Sequence, residues 1–137
     1  MRFVTLSVAI ICAAVAFGAD RVRAQSWQTR AFSVALKSGE SNELVDLYFV
    51  ANCKSLLVAP PEVMILDGPN GVTASAPKAM VVPRFQQCSR PVVGAKLILK
   101  AGDIDDVSNT LMTLRIRFRT KEGVRETSLS GAIQLFP

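Results

Sequence analysis

Arg115, Arg117 and Arg119 occupy alternate positions in the run Leu111 to Thr120, with Met112, Leu114, Ile116 and Phe118 falling on the other parity. In an extended strand this spacing puts three guanidiniums on one face, about 6.5–7 Å apart. Such a row suits the phosphates or carboxylates of an acidic polymer, because a planar guanidinium takes two oxygens at once. Lys121 extends the positive charge around the turn that follows. The same row would also serve as a solvated face that guards a strand edge against pairing.

Other groups offer weaker chemistry. Asp103, Asp105 and Asp106 lie in the loop Asp103 to Asn109 and supply the hard oxygens a calcium ion accepts. Their spacing lacks the glycine and distal glutamate of a full EF-hand, so a solvated connection is the plainer expectation. Ser75-Ala76-Pro77-Lys78 fits a Ser-x-x-Lys string, but the Ser-Asp-Asn and Lys-Thr-Gly elements of the β-lactamase site are missing. Glu40, Glu43 and Asp46 straddle a turn and a strand, a poor setting for paired catalytic carboxylates. Met64, Met80 and Met112 fall on separate segments, as core residues do, and form no thioether motif. Tyr48 and Trp27 are expected as half-buried packing residues. Histidine is absent, which removes imidazole bases and imidazole metal ligands. These observations predict no enzyme, no cofactor and no metal site beyond the weak calcium candidate.

Three cysteines occur, Cys12, Cys53 and Cys88. Cys12 sits in an apolar stretch from Phe3 to about Ala19, which follows the positive Met1-Arg2 start and precedes Val22-Arg23-Ala24. That is the grammar of a secretory signal peptide, cleaved after residue 24. The reading leaves a 113-residue domain (25–137) of the 137, enough for one hydrophobic core. The formal charge of +5 falls to +3 once Arg2, Arg21, Arg23 and Asp20 are set aside. Export predicts that Cys53 and Cys88 form one disulfide, closing a loop of about 36 residues and contributing roughly 4 kcal/mol in the chain-entropy picture.

The mature region is built from short apolar runs broken by Gly, Pro, Asn and Asp. Strands are expected over Trp27 to Lys37, Leu44 to Cys53, Val63 to Leu66, Val72 to Ala74, Ala79 to Val82, Val92 to Lys100, Leu111 to Thr120 and Val124 to Phe136. Apolar residues on both faces of Leu44 to Cys53 predict a central strand. Pro77, Pro83 and Pro91 mark the short runs between them as edges. For the last two runs, a Glu122-Gly123 turn pairs residues whose numbers sum to 245. Ile116 then meets Leu129 and Met112 meets Ile133 inside, while Arg117 meets Ser128 and Arg119 meets Glu126 outside. A four-residue turn, with a sum of 243, keeps the same parity and is the alternative.

About seven strands with turn signals every ten or so residues predict an all-β fold, a small antiparallel immunoglobulin-like β-sandwich with one disulfide behind a cleaved signal peptide. The expected product is an exported, periplasmic or secreted binding or accessory module without a membrane span after cleavage. Its expected partner is an envelope or extracellular protein or an anionic polysaccharide, rather than nucleic acid, met through sheet edges, loops or the basic strand face. The alternative is an inhibitor or chaperone-like protein that adds a strand to a partner, with Met80, Val81 and Val82 as the candidate edge.

Overall fold

The computed structural model describes residues 31–84 and 88–137; the expected signal peptide at 1–24 and the expected strand start at Trp27 lie outside the described residues. The described chain is all β. Its strands are β1 (Ala31–Lys37), β2 (Ser41–Leu47), β3 (Val50–Ala51), β4 (Lys54–Ser55), β5 (Glu62–Asp67), β6 (Val72–Ser75), β7 (Lys78–Val81), β8 (Val92–Ala101), β9 (Ser108–Thr120) and β10 (Gly123–Phe136).

One sheet has the order β1-β10-β9-β5. In the second, β8 pairs with β2 on one side and with β6 and β7, end to end, on the other. β3 and β4 form a small separate hairpin. Every ladder is antiparallel except β1 with β10, which run parallel from Ala31↔Ser130 to Lys37↔Phe136. The parallel pair departs from the all-antiparallel expectation. Its cause is topological: β1 and β2 are joined by a short turn but belong to different sheets, so β1 cannot hairpin onto its successor.

Alternation explains which residues form the core. Val34 and Leu36 of β1, Leu97 and Leu99 of β8, Met112, Leu114, Ile116 and Phe118 of β9, and Leu129, Ile133 and Leu135 of β10 are all buried. Side chains from both sheets join in one apolar cluster. Burying a Leu, Ile or Met side chain stabilises by about 1.5–3 kcal/mol, which makes this cluster the main source of stability. Val81, Val92, Cys88 and Pro83 are buried as well but lie outside that cluster, beside the disulfide.

Two expectations need correction. The long strand Leu44 to Cys53 ends at Leu47, and β2 is an edge rather than a central strand. Asn52 and Cys53 explain the break: both hold positive φ (50° and 59°) and form the two-residue turn between paired Ala51 and Lys54. Of the apolar residues on the second face of this segment, Leu44 packs against the core cluster, Tyr48 lines a surface cavity and Val50 belongs to the β3–β4 hairpin. The β9–β10 register takes the sum of 243: Ile116 faces Thr127, Leu114 faces Leu129 and Met112 faces Gly131. Lys121 and Glu122 form the turn, and Gly123 follows it with φ of 112°, a conformation that side chains oppose. The Thr120 hydroxyl locks this register by donating to the Gly123 carbonyl at 2.7 Å and accepting from the Glu122 N–H at 3.2 Å.

Gly131 shows why β1 can pair so closely. A Cβ there would collide with the carbonyl and ring of Phe32 on β1. Gly131→Ala is therefore expected to lower stability by about 1–3 kcal/mol, since backbone must move to admit it. A denaturant midpoint equal to that of the unmodified protein would show that β1 does not lie against β10 in solution.

Candidate functional site

β9 holds the arginine row because its other parity is committed to the core. With Met112, Leu114, Ile116 and Phe118 facing inward, Arg115, Arg117 and Arg119 must face outward, and the flanking strands β5 and β10 decide their neighbours. The registers set both Glu62 and Glu126 opposite Arg117. Arg117 donates to Glu126 Oε1 from Nε at 2.9 Å and from Nη2 at 2.8 Å. Arg115 Nε lies 4.0 Å from Glu126 Oε2, and Arg119 Nη2 lies 3.1 Å from Glu62 Oε1. The expected opposition of Arg119 to Glu126 is thus replaced by that of Arg117 to Glu126, a direct result of the shorter register.

Two carboxylates among three guanidiniums leave the row with only a small positive excess. All five side chains are 41–54% exposed, so each pair is screened by water and contributes about 0–1 kcal/mol. The pairs can therefore open to an outside anion at little cost. Lys121 does not prolong the row along the strand. It sits in the turn, where its N–H donates to the Leu56 carbonyl at 3.0 Å while its side chain is exposed.

The Cys53–Cys88 bridge is formed, with an S–S distance of 2.05 Å and Cα atoms 5.5 Å apart. It ties the β3–β4 turn to the connection between β7 and β8. Lys54 follows one cysteine directly and Arg90 follows the other by two residues. Arg84 lies in the same connection, its N–H donating to the Tyr48 hydroxyl at 3.2 Å. Neither these cations nor Lys121 and Arg125 form an ion pair among the described residues. Sequence reasoning did not single out Lys54, Arg84, Arg90 or Arg125, because only the disulfide and the docking of the β9–β10 turn onto Leu56 bring them to one end.

The candidate strand edge lies on β7. Val81 is buried at 3% exposure, while Met80 and Val82 are 59% and 45% exposed. β7 pairs with β8 on one side and has no ladder on the other among the described residues. Pro77 and Pro83 bound it. β5, the outer strand of the other sheet, exposes Met64 and Leu66 as a second apolar edge; Met64 and Met80, expected in the core with Met112, lie outward because Val63, Ile65 and Val81 take the inner parity of their strands.

Asp103, Asp105 and Asp106 lie exposed in the β8–β9 connection. No three His, Cys, Asp or Glu side chains converge as a metal site among the described residues. Glu43 and Asp46 line a shallow cavity of about 260 Å³ together with Tyr48, Val82 and Arg84. Both carboxylates are occupied by Lys96, whose Nζ lies 3.4 Å from Glu43 and 3.3 Å from Asp46. The hydrogen bond to Asp46, followed by that to Glu43, holds the Lys96 ammonium above its usual range. These groups form a closed surface triad across β2 and β8. Among the described residues, the cavity lining presents no nucleophile paired with a base.

No family model, curated protein or solved structure matches this chain.

Proposed function

We propose that this chain is an exported, non-catalytic binding module with an immunoglobulin-like β-sandwich, and that it contacts an anionic polysaccharide or an envelope protein through its basic strand face. The fold reading rests on strand order. β2, β8 and the broken β6–β7 strand correspond to B, E and D of the seven-stranded sandwich, and β5, β9 and β10 to C, F and G. β1 departs from the constant-type arrangement by pairing with the last strand instead of the second. The disulfide also departs from it, since it joins a hairpin turn to a loop rather than the B and F strands. A disulfide of this kind supports an oxidising compartment, in keeping with the leader.

The observation that carries the binding reading is the outward row of Arg115, Arg117 and Arg119 on the long central strand β9. A rigid strand holds the guanidiniums at fixed spacing, so an acidic polymer loses little freedom by lying along them. The Arg115→Ala, Arg117→Ala double variant is expected to bind immobilised heparin roughly tenfold more weakly than the unmodified chain. Unchanged affinity would remove the row as the binding surface.

A second reading has its own support. The unpaired outer side of β7, with Met80 and Val82 exposed, suits strand addition by a partner. Amide exchange measured with a captured partner protein tests it. Slowed exchange along Met80 to Val82 supports this reading, and protection confined to β9 rejects it.

A further inference from the structure

Charge in this molecule is sorted by end. At one end the β1–β2, β5–β6 and β8–β9 connections are joined. Gly39 N–H donates to the carbonyls of Ala101 and Gly102, Gly102 N–H donates to that of Gly71, and the Ser38 hydroxyl exchanges hydrogen bonds with the backbone of Ile104. Glu40, Asp67, Asp103, Asp105 and Asp106 lie there, with Lys37 and Lys100 as the cations. At the other end the β9–β10 turn docks on Leu56, Val58 N–H donates to the Arg119 carbonyl, and the disulfide joins the β3–β4 turn to Cys88. Lys54, Arg84, Arg90, Lys121 and Arg125 lie at this end, against Glu122. The thirteen residues of β9 span the two ends, about 40 Å apart.

We infer that the anion-binding surface does not stop at the arginine row but continues over the disulfide end, where Lys54, Arg90, Lys121 and Arg125 receive an anionic polysaccharide. The inference rests on the binding reading above and extends its site. Within the row, a ligand must share each guanidinium with Glu62 or Glu126. At the end, the cations have no carboxylate to give up. Arg119 and Lys121 connect the two regions in sequence and in space, so one polymer can run from the strand face onto the end.

The acidic end does not cancel this attraction, because it lies several Debye lengths away at physiological salt. A polymer that approaches the acidic end is repelled locally, so productive encounters fall at the disulfide end. A polysaccharide fits better than a bilayer. The large apolar side chains exposed toward this end, Val58, Met80, Val82, Val93 and Val124, sit on strands and connections rather than along one amphipathic helix, so the cations are the feature that recognises an acidic chain.

The test is heparin affinity of the full chain at two salt concentrations, with two charge-matched variants. Lys54→Gln, Arg125→Gln removes two cations at the disulfide end, and Lys37→Gln, Lys100→Gln removes two at the acidic end. The first variant is expected to bind about tenfold more weakly and with a shallower salt dependence, and the second to stay within about twofold of the unmodified chain. All four positions are exposed, and thermal melts verify that each variant folds. Equal losses in both variants would overturn the inference in favour of net charge alone. Full binding by the disulfide-end variant, alongside loss in the Arg115→Ala, Arg117→Ala variant, would overturn the extension and leave the strand-face reading standing. If the unmodified chain fails to bind heparin, or binds phosphatidylglycerol vesicles instead, the polysaccharide reading itself falls.

Discussion

Replacing both Cys53 and Cys88 with alanine is expected to lower the unfolding free energy by about 2–5 kcal/mol, read from denaturant midpoints under non-reducing conditions. The bridge closes a chain separation of 35 residues that contains β4, β5, β6 and β7. It also secures a part of the molecule that the main core does not reach. Val81, Val92 and Pro83 are buried outside the central cluster, where β7 and β8 meet the connection that the bridge anchors at Cys88, so loosening that connection exposes them.

A second comparison separates the crosslink from the backbone beneath it. Cys53 holds a φ of 59°, where a Cβ costs about 1–2 kcal/mol, and Asn52 before it holds 50°. Glycine at position 53 relieves that cost, although its freer unfolded chain takes part of the gain back. Cys53→Gly with Cys88→Ala is therefore expected to be about 1 kcal/mol more stable than Cys53→Ala with Cys88→Ala. Equal midpoints for the two double variants would mean that the left-handed turn does not survive loss of the bridge.

Leu114→Ala is expected to cost about 2–5 kcal/mol, while Leu111→Ala, three residues earlier on the same strand, is expected to cost under about 0.5. Leu114 has no exposed surface and is flanked by Ile65 on β5 and Leu129 on β10. Leu111 is 73% exposed on the outer face. Truncating the first leaves a cavity at the centre of a packed sheet, and truncating the second only removes atoms that water already touches. Urea unfolding of the two variants measures the difference directly. Similar losses for both would contradict the assignment of faces on β9, and with it the outward direction of the arginine row.

Much of the fold was legible because period-two patterning is strong where one face is dry. Met112 to Phe118 identified both the core side of β9 and the side that carries Arg115, Arg117 and Arg119. The pairing of Cys53 with Cys88 followed from compartment logic. The β9–β10 register was harder, since sums of 243 and 245 bury the same parity. Thr120, whose hydroxyl closes the turn over Lys121 and Glu122, decided between them, and its side chain carries no hydrophobic signal. The break after Leu47 was hidden for a different reason: Asn52 and Cys53 sit in an apolar run, and their left-handed turn leaves no glycine or proline as a marker. The basic end was not legible at all. Lys54, Arg90 and Lys121 are far apart in the chain, and a disulfide and two backbone hydrogen bonds place them together.

The parallel ladder of β1 with β10 has a consequence in time. Ala31 pairs with Ser130, about a hundred residues later, a separation that makes this the most costly loop to close and the slowest contact to form. While β10 is still being synthesised, β1 has no ladder to join and one flank of β9 is bare. The sheet that holds β9 thus remains unfinished until the far end of the chain arrives. Order is completed by the last strand to emerge.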